Sequence, residues 1–337
     1  MAQDFLFLVG RIRALESRLL SQSQIDRMVG ARDADEAFRI LTELQYADYI
    51  GESAQPSQFE QIVNQGLSET KQLIESGTDH HPAFQFIWRE FDLNNLKRAL
   101  KEKLVENRES IGDFTEENGY SQLGNITAKD LEAAVFGLQF DSEVPEPYMA
   151  VVRTADKWLD NDGSFRDIEF ALDVAHFEYL QTLVQQTPTL FLRNYLTLLA
   201  DEANTRTCAR VLLAGETLSS DLLVDGGSFE YDTVKGAQDI DSLVEILKHT
   251  EMNPVARKLQ AVAGEEVDET LLTLERMLSD HRYDFLHEAE SGEISTVQVP
   301  LYYFMKRLQN ARVIKFIMFS KLYDIAPAEI YKTLKHL

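Results

Sequence analysis

The chain carries one short pattern three times, at nearly equal intervals. An apolar residue, a glutamate, two variable residues and a second apolar residue occupy residues 59–63, 168–172 and 274–278, which are 109 and 106 residues apart. The same two intervals separate three Asn-x-basic triplets, which begin at Asn95, Asn204 and Asn310. Because two independent patterns share one gap-free register, we predict that the chain contains three copies of one unit.

The length of the repeat favours three small domains. Its period far exceeds the roughly 20–50 residues of solenoid repeats, whose units only stack on their neighbours. A chain of 337 residues, 44% of them apolar, is large enough to bury several cores. We predict a first domain over residues 1–123, with its repeat unit beginning near residue 21 after an N-terminal helix, a second over 124–227 and a third over 228–337.

Charge and cysteine content restrict the class of protein. A net charge of −23, from 56 acidic and 33 basic residues, opposes binding to nucleic acid, whose phosphates attract Lys and Arg. An acidic surface instead suits protein partners. The single cysteine, Cys208, allows neither an internal disulfide nor a zinc site of several thiolates. The apolar run at residues 5–9 is too short for an export signal, so we expect a location inside the cell.

Helical periodicity dominates the local pattern. Apolar residues from Ile168 to Leu183 recur every three or four positions, with acidic residues off the stripe. Similar stripes predict helices over residues 25–44, with a break near Gly30, and over 86–104, 255–263 and 271–285. Thr127 before Asp130 is typical of a helix N-cap, and residues 225–228 are typical of a turn. No alternating run is long enough to predict a sheet, so the predicted fold class is all-α.

The most hydrophobic stretch, residues 299–322, has the length of a membrane span. Charged or strongly polar side chains nevertheless interrupt it throughout, at Lys306, Arg307, Asn310, Arg312, Lys315 and Lys321. A charge near the bilayer centre costs about 2.5–3.5 kcal/mol even on insertion scales. We therefore predict a buried helix of a soluble domain, with no insertion into the membrane.

Motifs for catalysis or cofactor binding are missing from the sequence. The chain has no phosphate-binding glycine loop, no nucleophile elbow and no His-Glu-x-x-His pair. Asp160, Asp162, Gly163 and Glu169 match four positions of a calcium loop, but Trp158 occupies the first ligand position and offers no oxygen. We therefore expect no enzyme activity, no cofactor and no metal site.

Two further candidates have simpler structural interpretations. His80 and His81 precede Pro82 without a third ligand at a suitable spacing, so solvated side chains are the simpler prediction. Cys208 follows Asn204 in a predicted helix, where a buried small apolar residue is more common than a reactive thiol.

The recurring triplets are the strongest site candidates. In each copy aromatic residues precede the asparagine, which predicts a packed helix pair with one polar network. In one interpretation the asparagine and the base satisfy buried carbonyls or the recurring glutamate. In the other they line an inner surface where the three copies converge on a partner. The candidate partner-facing or interdomain residues are Asn95, Lys97, Arg98, Asn204, Arg206, Asn310 and Arg312.

These segments resemble a known family. Residues 91–100 resemble the Asp-x-x-Asn-Leu-basic helix in the first repeat of the C subunit of the bacterial and archaeal V/A-type rotary ATPases, the counterpart of the d subunit of the eukaryotic V-ATPase. Residues 201–207 resemble the second copy of that motif, and residues 168–177 resemble the helix before it. Residues 10–13, followed by Leu19 and Leu20, are similar to the first helix of the family. The resemblance covers nearly the whole chain.

The resemblance implies both a fold and a role. The fold would be three related helical domains arranged as a funnel with pseudo-threefold symmetry. The protein would be a non-catalytic central-stalk subunit, held on the cytoplasmic face of the membrane through the ATPase complex. Its partners would be the rotor shaft subunits of the D and F type and the membrane proteolipid ring, and it would transmit torque for ion transport or ATP synthesis. A helical scaffold or enzyme unrelated to rotary ATPases is the alternative.

Two positions depart from a strict repeat. Lys97 stands where the other two triplets carry an arginine, and Arg307 stands where the first and second copies carry Asp92 and Asp201. A role for that acid therefore cannot extend to the third copy.

Overall fold

The structure, a computed structural model, is built mainly from helices in the residues that it describes. It describes residues 5–44, 46–51, 54–137, 143–160, 163–261, 267–292 and 297–334. These ranges contain α-helices and short 3-10 turns but no strand, which confirms the predicted all-α class. The helices are α1 (Leu6–Glu16), α2 (Gln22–Gly30), α3 (Ala34–Ile40), α4 (Phe59–Gly77), α5 (Gln85–Leu104), α6 (Ala128–Val135), α7 (Glu146–Asp160), α8 (Phe165–Gln186), α9 (Leu190–Leu213), α10 (Tyr231–Val234), α11 (Ile240–Leu247), α12 (Asn253–Leu259), α13 (Val267–Gly292), α14 (Gln298–Leu322) and α15 (Pro327–Leu334).

Most helices occur where the apolar stripes predict them. The predicted break near Gly30 separates α2 from α3, because the Asp33 side chain accepts the N–H of Glu36 and begins a new helix. α12 ends at Leu259, earlier than residue 263, and residues 262 and 263 lie outside the described ranges. Thr127 caps α6 as predicted, with its hydroxyl accepting the N–H of Asp130. Gly226 has a φ of +99°, which fits the turn predicted at residues 225–228.

The helices form two compact units. The central unit is Pro82–Leu278, and the terminal unit combines Met1–His81 with Ser279–Leu337. The division falls inside α13. It groups residues by their contacts in space, whereas the boundaries after residues 123 and 227 come from the repeated pattern. The three-domain division therefore stays a prediction.

The central unit has two apolar clusters. In the first, α5, α6, α7 and α8 pack around fully buried side chains such as Leu96, Leu131 and Leu172. In the second, α9, α11, α12 and the first part of α13 enclose Cys208 and Leu243. The first two Asn-x-basic triplets lie on α5 and α9, so packing of these two helices in the two clusters fixes the positions of the triplets.

The terminal unit is built around α14. This helix packs against α4, α1 and α3, and its apolar residues Val299, Phe304 and Ile314 are completely buried. The prediction of a buried helix over residues 299–322 is therefore confirmed. None of the helices in the described ranges is long and apolar enough to cross a membrane.

Candidate functional site

Asp92 and Asn95 on α5 together hold a loop of the central unit. Asp92 Oδ1 accepts hydrogen bonds from the backbone N–H groups of Asn125 (2.7 Å) and Ile126 (2.8 Å). Asn95 accepts the N–H of Ser121 and donates to its carbonyl, each at 2.8 Å. Both side chains are buried, so these bonds satisfy backbone groups that would otherwise lose water without replacement.

Asp201 and Asn204 on α9 make an equivalent arrangement. Asp201 accepts from the N–H of Ser228 (2.7 Å) and from its hydroxyl (2.6 Å). Asn204 accepts the N–H of Val224 (2.8 Å) and donates to its carbonyl (2.9 Å). We call each such Asp-x-x-Asn pair with its bound loop a loop clamp. Although one loop is shorter, the residues bound by Asn and Asp are four apart in both, at 121 and 125 and at 224 and 228.

Each loop clamp requires a glycine. Gly124 precedes Asn125, and Gly227 precedes Ser228, so each glycine sits directly before a residue whose N–H the aspartate accepts. A Cβ built on Gly124 would overlap Asp92 Oδ1, and one built on Gly227 would overlap Asp201 Oδ1. The sequence pattern indicated Gly227 only as part of a turn and missed Gly124. No spacing along the chain marks Gly124, because it lies 29 residues after Asn95 whereas Gly227 lies 23 residues after Asn204.

Burial sets the electrostatics of the two clamps. Loss of water raises the pKa of the Asp92 carboxyl, against the lowering effect of its N–H donors and of Arg89, whose Nη1 lies 2.9 Å from Oδ2. Burial likewise raises the pKa of Asp201. A carboxyl whose pKa is higher in the folded state binds protons more tightly there, so its contribution to stability falls as pH rises above its unfolded pKa. The hydrogen bonds of the clamp offset part of this cost.

The bases of the first two triplets form ion pairs within the central unit. Lys97 Nζ lies 2.6 Å from Asp173 on α8, and Arg206 Nε lies 2.7 Å from Glu275 on α13. Glu275 is the recurring glutamate of the third copy, as one of the two interpretations required. Both pairs are partly exposed, so each contributes about 0–1 kcal/mol. If the repeat boundaries hold, each pair links one copy to the next.

Arg98 belongs to a network that the sequence pattern did not indicate. Its guanidinium pairs with Glu102 (2.8 Å) and Glu106 (3.1 Å). Glu102 is completely buried and also accepts the hydroxyl of Tyr120 at 2.8 Å. Burial and this hydrogen bond raise the pKa of Tyr120. Arg98 is thus a partner of a buried acid, and no sequence signal distinguished Glu102 from the many exposed acids of the chain.

The third triplet has different surroundings, in the terminal unit. Asn310 is partly buried, and its Nδ2 has no hydrogen-bond partner among the described residues. Arg312 is exposed and forms no ion pair with any residue that the structure describes. Arg307, at the position of the clamp aspartates, is buried against the ring of Tyr46. In the described ranges, each of the first two triplets bonds a following loop through its asparagine and an acid on another helix through its base. The third triplet does not repeat the loop clamp.

The remaining candidates are placed as follows. Cys208 is completely buried, and burial raises the pKa of its thiol to about 12, as expected for a core residue. His81 is half-buried with its ring edge against Phe5, 5.7 Å between centroids, so only His80 is solvated as predicted. Asp162 and the Asp160 side chain lie outside the described part of the chain. Among described residues, no three His, Cys, Asp or Glu side chains are grouped to hold a metal.

Comparison with known proteins identifies the family. The model of the ATP synthase (C/AC39) subunit family matches residues 8–333. The C subunit of the A-type ATP synthase of Thermococcus onnurineus (strain NA1) is 24% identical over 327 residues, covering 93% of this chain and 85% of that protein. The corresponding protein of Desulfurococcus sp. (strain SY) is 24% identical, with 91% and 84% covered. The C subunit of the V-type ATP synthase of Deinococcus radiodurans is 25% identical, with 68% and 66% covered.

The chain belongs to the ATP synthase (C/AC39) subunit family, because the match covers nearly its whole length. It is accordingly a subunit of a rotary ATPase, as the resemblance of the Asp-x-x-Asn helices predicted.

The loop clamps predict the effect of adding one methyl group. Gly124→Ala or Gly227→Ala forces the new Cβ against an aspartate oxygen and should lower the free energy of unfolding by about 1–3 kcal/mol. Gly236→Ala is the matched control, because its added Cβ meets no atom within 4 Å. Urea unfolding followed by circular dichroism measures all three. Equal stabilities for Gly124→Ala and the control would contradict the clamp geometry.

The three asparagines should differ in their contribution to stability. Asn95→Ala and Asn204→Ala each strand a backbone N–H and a carbonyl and should cost about 1–3 kcal/mol. Asn310→Ala removes an amide with no described partner and should change the thermal midpoint little. Differential scanning calorimetry of the three variants tests this order. A loss for Asn310→Ala as large as for Asn204→Ala would refute it.

Proposed function

We propose that the chain is a non-catalytic central-stalk subunit that couples the rotor shaft of a V/A-type ATPase to its membrane proteolipid ring. The observation that carries this proposal is the family match over residues 8–333, together with relatives named as C subunits of A-type and V-type ATP synthases. In this role the protein binds shaft subunits of the D and F type on one side and the ring on the other. It is peripheral to the membrane and transmits torque.

The loop clamps suit a part that must transmit force. Asp92 with Asn95, and Asp201 with Asn204, tie long helices to the loops that follow them by buried hydrogen bonds. A buried, fully paired polar network resists deformation more than apolar contacts alone, because hydrogen bonds are directional and weaken when the donor and acceptor shift. A rigid subunit passes on rotation with little loss, and rigidity of this kind supports the coupling role.

The proposed architecture is a funnel of three related helical domains with pseudo-threefold symmetry. Its support is the single register of the three copies and the equivalent loop clamps of the first two. The shaft would contact similar surfaces of each copy, and the exposed or partly exposed bases Arg206 and Arg312 are the candidate contacts. Overlay of an experimental structure of the assembled complex tests this arrangement, which fails if Asn95, Asn204 and Asn310 do not superpose.

A non-catalytic subunit should not bind nucleotide. The sequence has no loop of backbone N–H groups to hold a triphosphate. Isothermal titration calorimetry of the purified chain with Mg-ATP should show no saturable heat at micromolar concentrations, and no phosphate should be released. Saturable binding or turnover would favour the alternative of an enzyme unrelated to torque transmission.

The shaft contact can be tested with a double variant. Arg206→Ala with Arg312→Ala should weaken capture of the D and F type shaft subunits about tenfold, or ~1.4 kcal/mol. The thermal midpoint should stay nearly unchanged, since one arginine is exposed and the other forms a partly exposed pair. Arg166→Ala with Lys235→Ala is the control, because it removes the same number of positive charges, here from two exposed ion pairs. Equal loss of capture in both double variants would indicate general charge effects, and unfolding of the first would indicate a structural role.

A further inference from the structure

Among the described residues, Arg307 is a buried arginine without a carboxylate partner. It lies on α14 in the terminal unit, and its side chain is 1% exposed. Within the described ranges no carboxylate reaches ion-pair distance, and neither Nε nor Nη1 has a hydrogen-bond partner. Its described contact is with the ring of Tyr46, whose centroid lies 5.1 Å from Cζ. An arginine stays protonated in proteins, so this site holds a full positive charge.

Such a charge requires a compensating group. Moving an ion out of water remains costly even after relaxation of the protein, and contact with an aromatic ring returns only part of that cost. The other two copies carry Asp92 and Asp201 at this position, and each accepts hydrogen bonds from backbone N–H groups of the loop that follows its helix. Arg307 is positively charged where the other two copies carry an acid. It therefore requires a negatively charged hydrogen-bond acceptor.

Tyr46 does not supply that negative charge. Its side chain is 1% exposed, and its hydroxyl also has no hydrogen-bond partner within the described residues. Burial raises the pKa of Tyr46 above its ordinary value, although the nearby Arg307 acts in the opposite direction. The phenol is therefore neutral at pH 7 and is a second donor that no described acceptor satisfies, beside the guanidinium.

Two polar side chains on α4, one turn after Gly66, are already bonded elsewhere. On α4, Glu69 accepts the hydroxyl of Tyr49 at 2.9 Å and is not within ion-pair distance of Arg307. The hydroxyl of Thr70 donates to the carbonyl of Gly66 at 2.7 Å. A Cβ built on Gly66 would come within 3.0 Å of Arg307 Nη2 and 2.9 Å of Tyr46 Cε1. The guanidinium and the ring therefore both lie directly against the backbone of α4 at Gly66.

We propose that Arg307 and Tyr46 form a buried binding site for a small monovalent anion of the halide class, with chloride the natural ligand. A water molecule could accept the N–H and O–H donors but would leave the charge of the arginine uncompensated. A small anion suits two side chains that already pack directly against the backbone at Gly66. The anion would fasten α14, the central helix of the terminal unit, to α4 and to the segment that carries Tyr46.

Chloride should stabilise the protein through this site. The wild-type chain is heated in sodium chloride from 1 mM to 1 M, with sodium gluconate added to keep the ionic strength constant. The thermal midpoint should rise by about 2 °C or more for each tenfold increase in chloride above the dissociation constant, because the ligand binds only the folded state. Bromide should act like chloride.

Two variants separate a specific site from a general salt effect. Arg307→Met keeps an elongated side chain and removes the charge, so its midpoint should not depend on chloride. Arg39→Met also removes an arginine from the terminal unit, but an exposed one, and should retain the wild-type dependence. The same chloride dependence in Arg307→Met and wild type would overturn the proposal. So would a midpoint of wild type that is equal in chloride and gluconate.

Crystals grown in sodium bromide decide the matter even if Arg307→Met does not fold. An anomalous peak about 3.3 Å from the guanidinium nitrogens is expected, within reach of the Tyr46 hydroxyl. A well-ordered water at this position, with no anomalous signal, would refute the anion site.

Discussion

The structure of the central unit depends on hydrogen bonds to the buried backbone groups of the two loops that follow α5 and α9. Loops that follow α5 and α9 return across those helices, where their N–H and carbonyl groups are shielded from water. Asp92 with Asn95, and Asp201 with Asn204, supply the missing partners from a single helical turn. Because an unpaired buried amide costs about 1–3 kcal/mol, the loops, their glycines and the packing of the helices all depend on these four side chains.

The third copy uses another solution at the same motif position. Arg307 replaces the aspartate, and Tyr46 covers it instead of a following loop. A change of charge at one position therefore accompanies a change in what packs against the helix. The bases two residues after Asn95 and Asn204 pair with acids on other helices, whereas Arg312 is exposed to solvent. The base of the triplet therefore forms an internal ion pair in the first two copies and is an exposed cation in the third.

These hydrogen bonds and ion pairs can be related to the mechanical role that we propose for this subunit of a rotary ATPase. A subunit that sits between a turning shaft and a membrane ring, as we propose, needs stiffness, and it needs surfaces that recognise two partners. Buried hydrogen-bond networks such as the loop clamps provide stiffness at fixed geometry. Partly exposed ion pairs such as Arg206 with Glu275 contribute little to stability.

The sequence by itself determined the helical class, most helix positions and the family, because apolar spacing and short motifs depend only on neighbours along the chain. It also indicated that Asn95 and Asn204 bond to buried carbonyls or that they face a partner, without choosing between the two. Only the tertiary structure showed that both asparagines bond to backbone groups of a following loop and gave Gly124 and Glu102 their roles. Those roles depend on contacts between segments about 20–30 residues apart, and such contacts follow from packing, which no local pattern encodes.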